Sequence, residues 1–259
     1  MTPETDEAGE EQGLIAHLLE LRTRLIRSIA AVAIVFIALF PFREWLYGEL
    51  AAPLVRSLPR GGHLIATEVS SPFFAPVKLA VVAALVLAMP MVIYQFWAFV
   101  RPGLYRNEKR LARPLLVSAV LLFYIGCAFA YFLVMPAAFR FLASVTPQGV
   151  EMMTDISHYL SFVLTMFFAF GISFEVPVAV VILAAIGVVP VTRLRSLRPY
   201  VVVACFGMAA VLTPPDVMSQ IMLAVPMYLL YEGGILAASI LLRRNDGSDA
   251  EEERTSDGS

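Results

Sequence analysis

From Tyr159 to Gly187 the chain reads YLSFVLTMFFAFGISFEVPVAVVILAAIG, a run of hydrocarbon interrupted by one carboxylate, Glu175, close to its midpoint. A helix rises about 1.5 Å per residue and a bilayer core is about 30 Å thick, so this run spans with tilt to spare. An isolated acid at that depth is penalised by at least about 2.5 kcal/mol on insertion scales, so it faces a bundle interior, a water-filled cavity or a partner. Glu175 is therefore a functional candidate by position. Its plainer reading is a carboxyl hydrogen-bonded between helices as fixed glue. Pro177, two residues on, removes a backbone donor and predicts a kink beside the acid.

Composition extends this reading to the whole chain. Of 259 residues, 59% are hydrophobic and only 15% charged, and the mean hydropathy is +0.77. Such a chain is a polytopic membrane protein, not a soluble domain. Cys127 and Cys205 sit inside apolar runs without metal or redox spacing and read as packing residues. Residues 1–13 are acidic and lack any basic residue, the reverse of a signal-peptide n-region, so the first apolar helix is expected to be retained.

Taken in order, Leu14, Leu18, Leu21 and Leu25 form one stripe of an amphipathic helix, with Glu20, Arg24 and Arg27 on another side. It leads into a first span at about Leu25–Phe42, closed by Pro41, Trp45 and Tyr47. A proline- and glycine-punctuated loop of some 30 residues follows, too long for a turn and expected to hold short helical structure. The second span, about Phe73–Val100, carries Pro76, Lys78 and Pro90, and Lys78 reads as a snorkelling lysine near the boundary. A basic loop around Glu108 precedes the third span, Pro114–Met135, and a polar loop to His158 leads to the Glu175 helix. A fifth span, Pro199–Thr213, is only about 22 Å long. Pro214-Pro215-Asp216 turns into a sixth from Val217, interrupted by Pro226 and Glu232. Residues 1–13 and 245–259 are expected to be acidic disordered tails around a membrane domain of 14–244. Of nineteen Lys and Arg, fourteen fall on the side of the termini and the even loops, which predicts both termini in the cytoplasm. No repeat and no similarity between halves is visible.

Five stretches occur in order: His17-Leu18-Leu19-Glu20-Leu21-Arg22, Ser71-Pro72-Phe73-Phe74, Tyr94-Gln95-Phe96-Trp97-Ala98-Phe99, Ser173-Phe174-Glu175-Val176-Pro177 and Leu212-Thr213-Pro214-Pro215-Asp216. Together they resemble the TatC family, the multispanning core subunits of the twin-arginine protein translocase, over about Leu14–Arg244. The resemblance implies an all-α fold of six kinked transmembrane helices forming a concave, glove-shaped wall in the bacterial inner membrane. It implies no enzymatic activity, no cofactor, no metal and no nucleic acid. It also implies recognition of twin-arginine signal peptides of folded precursors, single-span partners TatB and TatA, several copies in the receptor complex, contact with membrane lipid, and drive by the proton motive force. Consistent with that, no phosphate-binding glycine loop or HExxH helix is present.

By the same resemblance, signal-peptide contacts fall on Glu20 and on Glu108, with Phe99, Pro102, Leu104, Tyr105 and Arg110 around the latter. An arginine pair offers planar donor forks that match carboxylates as lysine does not. The plainer reading pairs Glu20 with Arg24 at i,i+4 and Glu108 with its basic neighbours. Glu175 is implied to line the concave face, and Thr213, Pro214, Asp216 and Gln220 to form the surface where partner helices dock. Asp216 also suits an N-cap of the sixth span. The chain departs from the family pattern at Arg101-Pro102-Gly103, at Arg113 and at Glu68, where Asp is common. A rival reading is a proton-coupled small-molecule transporter with Glu175 as carrier. It leaves the loop acids unexplained and lacks the expected symmetry between halves.

Overall fold

The computed structural model describes residues 4–57, 64–104, 112–145, 154–212 and 217–256. The chain divides into two compact units, Met1–Leu50 with Glu68–Leu116, and Ala51–Thr67 with Val117–Ser259. Among the described residues, five helical stretches are long and apolar enough to cross a membrane, and Arg198–Val211 is a shorter sixth.

In the first unit, α1 (Glu4–Leu39) runs through a 3-10 turn at Phe40–Phe42, with Pro41 inside it, into α2 (Arg43–Ser57), whose residues from Ala51 on belong to the second unit. Proline is tolerated there because the first turn of a helix has no partner for its missing N–H. The loop expected after the first span is thus helical over its first half. β1 (Leu64–Ile65) belongs to the second unit, and the first resumes with α3 (Ser71–Leu104). Helices α1 and α3 pack antiparallel, with His17 near the start of one stacked on Phe99 near the end of the other, ring centroids 4.2 Å apart. Ala80, Ala84 and Ala88 of α3 are buried at one-turn spacing, the small-residue stripe that lets helices approach closely in lipid. Leu18, Ile29, Ile34 and Ile37 of α1 are exposed, as lipid-facing residues of a span are.

In the second unit, α4 (Ala112–Phe129) does not stop at Met135 as the sequence predicts. It passes through a π turn at Ala130–Val134 into α5 (Met135–Val145). The reason is Pro136. A proline inside a helix lacks a donor and clashes with the preceding turn. The wide turn, where the Met135 N–H bonds to the Ala130 carbonyl five residues back, lets the helix continue past it. After β2 (Thr154–Asp155), paired in parallel with β1, come α6 (Ile156–Ser173) and α7 (Val176–Ala185). The break between them falls on Phe174-Glu175, with Pro177 in the first turn of α7, so the expected bend is there. Gly187, at a φ of 75°, ends that segment. The chain continues as α8 (Val191–Ser196), α9 (Arg198–Leu212) and α10 (Val217–Ser256), with Pro226 inside α10. Helix reaches into both stretches expected to be tails.

The core of this unit gathers Ala130, Val134, Met166, Phe170, Phe174, Cys205, Ala209, Leu223, Ala224 and Met227, with Phe129 packed on Phe170 and Phe174. Both cysteines are buried, as packing residues. Close approach is licensed by glycine. A Cβ on Gly126 would lie 2.7 Å from the Phe170 carbonyl oxygen, and one on Gly234 would lie 2.8 Å from the Cα of Pro177.

Candidate functional site: an acid gripped between α1 and α3

Glu20 sits one turn after His17, so the His17–Phe99 stack fixes its place against the end of α3. Its Oε1 accepts two hydrogen bonds from one guanidinium, Arg24 Nε at 2.9 Å and Nη2 at 2.5 Å. The third nitrogen of that guanidinium, Nη1, reaches Gln95 Oε1 of α3 at 3.5 Å. Gln95 is buried, and among the described residues its amide nitrogen makes only a long 3.9 Å contact to the sulfur of Met91. Helix spacing makes the Glu20–Arg24 pair local, whereas the stack and Gln95 bring α3 to it. The pair is partly exposed, so its worth to stability is small. Its interest is chemical: a carboxylate at the head of a span that holds a guanidinium.

Of the other predicted contacts, Phe99 is brought to this point, and Pro102 and Leu104 lie in the last turn of α3. Tyr105, Glu108 and Arg110 lie outside the described residues, as do Thr213, Pro214 and Asp216. Gln220, near the start of α10, donates to the Phe206 carbonyl of α9 at 2.9 Å. Glu175 stands at the α6–α7 break, half-buried, and its Oε1 has no hydrogen-bond partner among the described residues. A wide apolar groove of about 540 Å³ opens between α6 and α9, lined by Phe168, Ile172, Met208 and Val211.

The model of the family described as Sec-independent protein translocase protein (TatC) matches residues 16–226. The chain belongs to the TatC family. A TatC of Azotobacter chroococcum mcd 1 is 55% identical over 258 residues, covering 100% of this chain and 98% of its own. The TatC of Escherichia coli strain K12 is 53% identical, with 87% of this chain and 88% of its own covered. A solved structure titled as the twin-arginine translocase receptor TatC superposes with a TM-score of 0.77 at 38% identity, covering 86% of this chain and 98% of that one. The fold is therefore the all-helical, multi-pass TatC fold, and the protein is a transport component and not an enzyme.

Two polar clusters in this chain were missed from sequence. Asp155 caps α6: its Oδ1 accepts from the N–H groups of Ser157 at 2.8 Å and His158 at 3.0 Å. Its Oδ2 accepts from Thr67, the hydroxyl at 2.6 Å and the N–H at 3.0 Å. These bonds, the Thr67 hydroxyl foremost, hold the carboxyl well below the usual carboxylate range. An acid immediately before Ile-Ser-His is the N-cap signal that could have found it. Glu232, noted only as an interruption of the last span, accepts from Arg198 Nη2 at 2.7 Å and from the Tyr228 hydroxyl at 2.7 Å. An acid within an apolar span calls for such a partner. With Gln220 bonded to the Phe206 carbonyl, α9 is tied to α10 at its start and near its middle.

Proposed function

We propose that this chain is the receptor and scaffold subunit of a twin-arginine translocase in the bacterial inner membrane. Glu20 and Glu108 recognise the paired arginines of signal peptides at the cytoplasmic face, where both termini lie, with Phe99, Pro102, Leu104, Tyr105 and Arg110 around them. Single-span TatB and TatA dock at Thr213, Pro214, Asp216 and Gln220. Several copies assemble, and the proton motive force drives folded cargo across. Glu175 offers its carboxyl to the inserted signal peptide or to a polar residue of a partner helix. The observation that supports this best is the grip of Glu20 on a guanidinium beside Phe99, which is the chemistry a twin-arginine peptide would present. The relatives titled as twin-arginine translocase receptors point the same way.

The test is binding of a synthetic Arg-Arg signal peptide to full-length chain in nanodiscs. The double variant Glu20→Gln with Glu108→Gln is expected to insert normally and to lose binding. Retained binding, or retained export in cells, removes the proposed role.

A further inference from the structure

The corner between α8 and α9 carries more positive charge than its surroundings neutralise. Arg193, Arg195 and Arg198 lie within six residues, and among the described residues one carboxylate, Glu232, answers them. We propose that this corner seats one anionic phospholipid, its phosphate on Arg195 and Arg198 and an acyl chain laid down the exposed face of α9. The proposal rests on α9 crossing a membrane and not on the receptor reading.

Three observations carry it. First, Glu232 is fully engaged. One of its oxygens accepts from the Tyr228 hydroxyl and the other from Arg198 Nη2, each at 2.7 Å. The charge of Arg195 acts on the same carboxylate, yet neither Arg193 nor Arg195 makes a side-chain hydrogen bond or ion pair with a described residue. Arg198 is itself 44% exposed, and only its Nη2 is bonded among the described residues. Three guanidinium charges against one carboxylate leave a surplus. Second, the corner is held in place. Leu194 is buried, and its carbonyl accepts from the buried Tyr231 hydroxyl of α10 at 2.7 Å. The Leu197 N–H bonds to the Arg193 carbonyl at 3.1 Å, and its own carbonyl accepts from the Val201 N–H at 3.0 Å. Helical bonding thus runs through the corner and puts Arg195 and Arg198, three residues apart, on one side. Third, an apolar track starts where the charge ends. Tyr200 and Val203 are 73% and 72% exposed, and Gly207 continues them at helical spacing into the groove between α6 and α9. From Arg198 to Gly207 is about 14 Å along the axis, against about 15 Å for half a bilayer core. A chain whose phosphate sits on the arginines ends at that groove.

The occupant follows from the two surfaces together. Guanidinium forks take phosphate oxygens in pairs, and basic clusters at the ends of membrane helices bind anionic headgroups. An acidic protein segment would meet the charge but leave the apolar track to bulk lipid. A phospholipid meets both, and phosphatidylcholine, whose own cation offsets its phosphate, does so less well.

Native mass spectrometry of the full-length chain in mild detergent, titrated with phosphatidylglycerol or phosphatidylcholine, reads the affinity of the first lipid bound. Phosphatidylglycerol is expected to bind about tenfold more tightly, and Arg195→Gln to abolish that preference, tenfold being the worth of one charge-assisted hydrogen bond. Arg140→Gln removes the same charge from an exposed arginine of α5, on the far side of the α6–α7 span in chain order, and is expected to change nothing. Equal losses in the two variants would mean diffuse attraction to net charge. A preference in Arg195→Gln within about twofold of the parent would mean that the phosphate sits elsewhere, and either result overturns the proposal. A further measurement needs no variant: the headgroup alone, glycerophosphoglycerol, is expected not to displace phosphatidylglycerol from the parent at equal concentration, since it lacks the chain. Displacement would reduce the corner to a bare phosphate site, and a parent that binds both lipids equally would have no anion site at all; each refutes the seat described.

Discussion

The tight crossing at Gly126 makes a quantitative prediction. A methyl group at Gly126 would meet the Phe170 carbonyl oxygen at 2.7 Å and the Cβ and Cγ of Phe174 at 3.0 Å. The first contact is backbone, so α4 and α6 would have to move apart, and overpacking of that kind costs about 1–3 kcal/mol. Alanine's better helix propensity returns up to about 1 kcal/mol. At Gly207 and Gly233 nothing lies within 4 Å, so there the propensity gain stands alone. The informative quantity is the difference between substitutions of identical chemistry. Gly126→Ala should be less stable than Gly233→Ala by about 1–3 kcal/mol, roughly five- to 150-fold in the unfolding equilibrium. Reversible unfolding by SDS in mixed micelles, followed by helical circular dichroism, reads it directly. Gly234→Ala, facing the Cα of Pro177, should side with Gly126. If all of these alanine variants unfold together, close backbone approach is not what these glycines provide.

Glu175→Gln should support export of a folded reporter better than Glu175→Leu, because a buried oxygen without a partner among the described residues at the α6–α7 break calls for a hydrogen-bonding group there; equal export would refute this. The Asp155 carboxyl titrates below its ordinary value, so its contribution is complete above the unfolded value of about 3.9 and is lost as pH falls through the lower folded value. Protection of the Thr67 amide against hydrogen exchange should therefore be flat from about pH 5 to 8 and fall only in stronger acid. Asp155→Ala should lose that protection throughout, and unchanged protection in the variant would dissolve the latch. Helix α9 has 15 residues, about 22 Å against a core of about 30 Å, so the bilayer beside it should be thinner than bulk. Neutron or X-ray scattering from nanodiscs showing an undisturbed membrane would count against that.

What could be read from sequence was whatever a local rule governs. Pro177 beside Glu175 announces the break in the fourth span, because a missing donor acts on its own turn. The third span, expected to end at Met135, instead runs on past Pro136. Proline usually ends a helix, and only the π turn before it, which no residue type encodes, carries α5 onward. At the candidate site the Glu20–Arg24 pair was visible at i,i+4, but Gln95 and Phe99 join it from a helix some 70 residues away. Asp155 with Thr67 and Arg198 with Glu232 were hidden likewise, since pairing across 88 and 34 residues leaves no periodic trace.

The Asp155–Thr67 latch also constrains how the molecule is made. Thr67 is synthesised before α3, and Asp155 only after α5, so the two cannot meet until both intervening hydrophobic segments have been threaded and come to rest. A nascent chain that mis-inserts either one leaves the threonine and the aspartate on opposite sides of the lipid. Closure of this one contact is thus a record that biogenesis reached the right topology, written at the join between the third helical passage and the fourth.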